Sequence, residues 1–105
     1  MKRGLTDLCY SFFSTLANPT RLAILEVLGE SDMNVTQLAD SLGQEQSMVS
    51  HNLRPLERCK LVYFERRGKS KVYSLNRDIV ETLFKTVENH AQNHCLLTGN
   101  CPDSH

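Results

Sequence analysis

Long apolar runs, net charge and catalytic motifs are all missing from this 105-residue chain. No stretch approaches the roughly 20 consecutive apolar residues that a membrane helix needs. The opening segment, MKRGLTDLCYSFF, lacks the plan of a signal peptide, so a cytoplasmic location is expected. There is no Gly-rich phosphate loop, no pair of catalytic carboxylates and no nucleophile elbow, and an enzyme is therefore not expected. Internal repeats and linkers are also missing, which at this length implies one domain with a modest core. Twelve basic and twelve acidic residues cancel, so the total charge does not announce an anionic partner. Four cysteines (Cys9, Cys59, Cys95 and Cys101) in a cytoplasmic protein do not make a disulfide framework.

The distribution of charge says what the total does not. Between His51 and Lys71 seven basic residues (Arg54, Arg58, Lys60, Arg66, Arg67, Lys69, Lys71) stand against Glu57 and Glu65, a local net of +5. Acidic residues dominate from Glu26 to Glu45. Such segregation suits an anionic partner at one surface.

Residues 44–75 explain where that charge sits. Met48, Val49, Leu53, Leu56, Leu61 and Val62 recur at mostly helical intervals, with Gln46, Ser47, Ser50, His51 and Arg54 between them on a face left free. The period then changes. Leu61-Val62-Tyr63-Phe64 and Val72-Tyr73-Ser74-Leu75 are rich in β-branched and aromatic residues, and Arg67-Gly68-Lys69-Ser70 separates them. That pattern predicts a two-stranded hairpin with a basic tip. A helix able to enter a major groove, followed by a cationic hairpin able to reach phosphates, reads double-stranded DNA.

The remaining helices follow from caps and apolar stripes. One is expected from Leu5 to about Leu16, with Leu8, Phe12, Phe13 and Leu16 in line. Asn18 as N-cap and Pro19 at the first helical position start a second, carrying Leu22, Ile24, Leu25, Val27 and Leu28 and stopping near Gly29. Asn34-Val35-Thr36-Gln37 resembles a capping box for a short third helix ending at Gly43. The reading helix, from about Gln46 to Arg58, holds Pro55, which deletes one hydrogen bond and is expected to kink its C-terminal half. A last helix is expected from about Arg77 to His94, with Ile79, Val80, Leu83, Phe84 and Val87 on one face. The expected class is α+β, mostly α: about five helices and a two-stranded wing. Residues 1–95 form the DNA-binding and dimerisation domain, and 96–105 an irregular tail.

These residues resemble a known family, the ArsR/SmtB-type winged-helix repressors. The pieces that carry the resemblance are Leu16-Ala17-Asn18-Pro19-Thr20-Arg21-Leu22-Ala23-Ile24-Leu25, then Val49-Ser50-His51-Asn52-Leu53-Arg54, then the Leu61-Val62 strand with its Arg/Gly/Lys wing. The match spans roughly Phe12 to Leu83. It implies a homodimer held by the first and last helices, bound to an inverted repeat and released by an inducer. The residues agree independently. Phe12, Phe13, Leu83, Phe84 and Val87 give the outer helices apolar stripes that three short inner helices can hardly cover, and a two-fold interface buries them economically.

The family's usual metal sites are not matched. Its thiolate motif at the third helix reads Ser31-Asp32-Met33-Asn34-Val35-Thr36-Gln37-Leu38 here, without cysteine. Its zinc pattern on the last helix falls on Asn76, Asp78, Asn89 and Gln92, leaving at best one ligand. The inducer is thus open.

Near the C-terminus, His90 and His94 lie four apart and share a face on a continuing helix, with Cys95, Cys101 and His105 beyond. Sulfur with imidazole would suit zinc, copper(I) or arsenite. Thiol redox chemistry between Cys95 and Cys101 or Cys9, or no sensing role at all, stand beside that reading. Cys59 reads as a small filler residue, and Cys9 as lying near the dimer interface. The other class that stays open is a winged helix serving as a protein-interaction module.

Overall fold

The computed structural model describes residues 3–94. Its elements run α1 (Arg3–Leu16), α2 (Pro19–Leu28), α3 (Val35–Leu42), α4 (Gln46–Arg58), β1 (Val62–Arg67), β2 (Ser70–Leu75) and α5 (Arg77–Asn93). Local chemistry accounts for most of these boundaries. Asn18 Oδ1 accepts from the amides of Thr20 and Arg21, capping α2, while Pro19 takes the position where no donor is needed. Asn34 and Gln37 close the expected capping box, each side chain accepting from the other's backbone amide at 2.8 and 2.9 Å. Gly43 ends α3 in the left-handed conformation, φ 64°.

The recognition helix α4 stops without glycine. Leu61 N–H donates to Leu56 O and Lys60 N–H to Glu57 O, the two bonds of a Schellman closure. Lys60 fills its left-handed position at φ 58°, the one non-glycine residue with positive φ among those described. The side-chain amide of Asn76 donates to Lys60 O at 2.7 Å, tying that turn to the start of α5. α4 runs unbroken through Pro55, which is buried.

β1 and β2 pair antiparallel from Val62↔Leu75 to Arg67↔Ser70, with Gly68 and Lys69 at the tip. Met33 and Tyr73 exchange backbone hydrogen bonds of 3.1 and 2.8 Å, so the segment before α3 anchors the hairpin's base. The core gathers Leu16 of α1, Ile24, Leu25 and Leu28 of α2, Leu38 of α3, Val49, Leu53 and Leu56 of α4, Leu61, the strand residues Val62, Tyr73 and Leu75, and Val80 of α5.

On the inner helices, two expected apolar positions fall outside it. Met48 is 45% exposed and Leu22 39% exposed. Met48 lies in the first turn of α4, one turn before the buried Asn52, where the helix end leaves it uncovered within the protomer. Leu22 points into the open groove between α2 and the outer helices. Hydrophobicity alone would bury both, but each helix buries a stripe narrower than its apolar content. Among the described residues, no helix is long and apolar enough to cross a membrane.

Candidate nucleic-acid interface

α4 has two faces of opposite character. Val49, Asn52, Leu53, Pro55 and Leu56 are buried. Gln46, Ser47, His51 and Arg54 are exposed and Ser50 is half-buried, so the polar residues picked out by spacing share the outward side. Glu45 precedes the helix without a side-chain cap bond, so the first-turn amides of α4 have no side-chain acceptor from their cap.

The wing divides its cations between two surfaces. Side chains alternate along a strand, so Val62, Phe64 and Arg66 share one face with their partners Leu75, Tyr73 and Lys71. Lys71 Nζ stands 4.0 Å from the centroid of the Phe64 ring and 5.6 Å from that of Tyr73, held by the negative π-face of each ring. On the same face the Tyr73 hydroxyl donates to Glu57 Oε2 at 3.4 Å, linking the wing to the last turn of α4. Arg67 lies on the opposite face, where its Nε donates to Glu65 Oε1 at 2.8 Å. That hydrogen bond, and the charge of Glu65, hold the Arg67 guanidinium above its ordinary pKa. Arg66 and Lys69 are exposed and have no carboxylate partner among the described residues. Four cations that look equivalent in sequence therefore differ in what they have already bound.

The outer helices split similarly. Phe12, Leu83 and Phe84 are half-buried against the protomer's own core, so the expected set of five interface residues is not uniformly free. Phe13 is 55% and Val87 58% exposed, accompanied by Leu8 at 69% and Ile79 at 40%. Phe13, Leu22, Leu83, Phe84 and Val87 line an apolar groove of about 890 Å³ between α1, α2 and α5, edged by Glu26 and Glu88.

The candidate sensor residues are partly within view. The rings of His90 and His94 lie 4.4 Å apart between centroids and tilted by 35°, neighbours as their four-residue spacing implies. Cys95, Cys101 and His105 lie outside the described residues. Among the described residues, no three or more His, Cys, Asp or Glu side chains are grouped to hold a metal. Cys9 and Cys59 are half-buried and line one cavity of about 470 Å³ with Phe12 and Arg58. Cys59 is more than filler, since its thiol donates to Thr15 Oγ1 at 3.4 Å.

Spacing did not single out two residues joined behind this face, Arg21 of α2 and Asn52 of α4. Asn52 is only 4% exposed, the one buried polar or charged residue among those described. Its signal is present in the chain: it sits three residues after Val49 and four before Leu56, where the helical period calls for an apolar side chain.

Known proteins share this arrangement. Residues 18–63 match the family described as bacterial regulatory protein, arsR family. The HTH-type transcriptional regulator NmtR of Mycobacterium tuberculosis is 42% identical over 95 residues, covering 90% of this chain and 79% of that one. A transcriptional repressor SmtB homolog of Synechocystis is 38% identical over 81 residues, 77% of this chain and 61% of its own length. The homodimeric winged helix-turn-helix DNA-binding domain Mb0332 of Mycobacterium bovis superposes with a TM-score of 0.79 at 28% identity, over 97% of this chain and 92% of that domain. On the strength of that identity and coverage, the chain belongs to the arsR family of bacterial regulatory proteins.

Proposed function

We propose that this arsR-family regulator works as a two-fold dimer whose α4 helices enter successive major grooves of an inverted-repeat operator. The observation that carries the reading is the division of α4 into a locked apolar face and an exposed polar one, continuous with a cationic wing. Gln46, Ser47, Ser50 and His51 reach base edges or phosphates, and Arg54 takes guanine or phosphate. The free first-turn amides of α4 suit a phosphate oxygen. Arg66, Lys69, Lys71 and Arg67 act through phosphates, with Arg67 the weakest because Glu65 already occupies it.

The dimer is assigned to the groove between the outer helices. Phe13 and Val87 are the anchors, Leu83 and Phe84 form its floor, and Phe12 packs behind it against the protomer's own core. The Mycobacterium bovis domain is described as homodimeric and the Synechocystis relative as a repressor, which favours a dimeric repressor here. Residues 1–95 would form this unit and 96–105 a tail. Titration with a duplex across a range of salt tests the reading. Affinity should fall steeply with salt, each phosphate contact adding about 0.9 to the slope. A flat salt response would favour a protein-interaction module instead.

A second reading is favoured by the neighbouring His90 and His94 rings at the end of α5. With Cys95, Cys101 or His105 they would hold a thiophilic metal ion, the inducer that loosens DNA binding. Operator titration of the full chain and of one ending at Asn93, each with zinc, copper(I) and arsenite, tests it. A truncated chain that responds like the intact one removes the tail from the sensor.

A further inference from the structure

The buried side of α4 is joined to α1 at two points, one through Arg21 of α2 and one directly, and both joints end on Thr15. Asn52 Oδ1 accepts from Arg21 Nε at 3.0 Å, and its amide Nδ2 donates to Met48 O of its own helix at 2.9 Å. Arg21 Nη1 donates onward to Thr15 O at 3.2 Å. That carbonyl belongs to the last turn of α1, where intrahelical partners run out and the helix end is electronegative. One guanidinium thus caps α1 and grips α4. The second joint lies two turns on, at the C-cap of α4, where the Cys59 thiol donates to Thr15 Oγ1 at 3.4 Å. Thr15 Oγ1 itself donates to Ser11 O, so the hydroxyl is oriented by its own helix.

Three features set this apart from ordinary packing. Asn52 occupies an apolar phase of the helix, and an unpartnered amide there is costly, so the position is tolerable only with its partners in place. Arg21 has no carboxylate partner among the described residues, so its half-buried charge is spent on two neutral acceptors. Asn52 and Cys59 are seven residues apart, two turns or about 10 Å along α4, and on the same face. A helix held at two such points cannot pivot about either. In coiled coils a single buried Asn fixes the register between helices at a cost in stability, and a buried Asn bridged to a neighbouring helix can act in the same way.

We infer that Arg21 and Asn52, with the Thr15–Cys59 contact as a second anchor, are positioning residues that fix the tilt of the recognition helix against α1 and so determine which half-site spacing the dimer accepts. None of the four belongs to the proposed DNA-facing set. The inference rests on the DNA-reading dimer proposed above, in which α1 lies at the two-fold interface. If α1 is fixed to the partner and α4 is fixed to α1, the separation of the two reading helices is fixed as well. One base pair of extra spacer displaces a half-site by about 3.4 Å, a step that a rigid pair of heads detects and a loose pair absorbs.

The test uses the full chain and a duplex enriched from a randomised pool by the wild-type protein, remade with one base pair added to or removed from its centre. Wild type should bind the selected spacing best. Arg21→Lys keeps the charge but not the fork that spans two acceptors, and should lose roughly 5–150-fold on the selected duplex. The loss on the altered spacers should be much smaller, so discrimination collapses. Thr15→Val, which removes only the hydroxyl joint, should show the same pattern weakly. Asn52→Leu added to Arg21→Lys should cost little more than Arg21→Lys alone, because both cut one link. If Asn52→Leu does not fold, the other two variants still decide the matter. Equal fold-losses on all spacers would overturn the inference, since mere destabilisation acts that way, and so would unchanged binding. Wild type that enriches no duplex, or shows no spacer preference, would instead bring down the DNA-reading dimer itself and this inference with it.

Discussion

α4 and α5 are both amphipathic, yet the fold treats them oppositely. α4 buries Val49, Asn52, Leu53, Pro55 and Leu56 within its own protomer, whereas the longer α5 buries only Val80 and Ala91. α5 leaves Ile79 and Val87 open, and α1 beside it leaves Leu8 and Phe13 open. The difference is one of cover. α2, α3 and the base of the hairpin close over α4, so its apolar side is satisfied and its polar side is free for a ligand. Nothing of this protomer among the described residues closes over Phe13 and Val87, and an apolar groove with two acidic edges remains. One helix is finished by folding; the other, in the proposed dimer, is finished by association.

The widest break in that comparison comes from the open side. Phe13→Glu with Val87→Glu should leave a folded monomer in sedimentation experiments and lower operator affinity by roughly 10²–10⁴-fold, the usual scale of bivalency. Both residues are more than half exposed in the protomer, so the fold itself should survive. A monomer that binds the operator as tightly as wild type would show that the groove is not the interface. On the closed side the cost should appear in folding instead. Leu56→Ala removes a fully buried side chain and should destabilise the protein by about 2–5 kcal/mol in urea unfolding, whereas Val87→Ala should change protomer packing little. Equal effects of the two would erase the distinction between the helices.

Smaller effects belong to the outer face of α4. Ser50→Ala and His51→Ala should each weaken operator binding by about 1–3 kcal/mol wherever the side chain reads a base edge, with the thermal midpoint nearly unmoved. A folded double variant with wild-type affinity would take these residues out of the reading face. The finest distinction lies within the wing. Arg66→Ala should lower the logarithmic salt slope by about one unit and weaken specific and non-specific duplexes alike. Arg67→Ala should do less, because its guanidinium is already bonded to Glu65. Comparable slopes for the two variants would mean that DNA displaces the Glu65 bond at no cost.

Much of this architecture was legible in the sequence because its signals are local. Asn34 with Gln37, Asn18 with Pro19, and Gly43 each act within one helical turn, and all three place helix ends where the structure has them. The change of period from α4 to the hairpin is local too, which is why β1 and β2 could be expected around the Arg67–Ser70 turn. What stayed hidden depends on contacts between distant residues. Asn52 is explained by Arg21, 31 positions away, and Cys59 by Thr15, 44 positions away, and no periodicity connects them. The inequality of the wing cations depends in part on register, because it is pairing that sets Lys71 beside Phe64, whereas Arg67 meets Glu65 through the two-residue alternation of β1 itself. Lys60 was hidden for a different reason. A left-handed helix stop usually announces itself by glycine, and here the Asn76 side chain supports a lysine in its place.

The central claim is that two α4 faces, set by one two-fold interface, read two half-sites together. Selection of duplexes from a randomised pool by the full chain addresses it directly. The account predicts enrichment of an inverted repeat whose half-site centres lie about one helical turn, roughly 34 Å, apart, bound by two chains per duplex. Enrichment of a single unrepeated motif, or a stoichiometry of one chain per duplex, would contradict it.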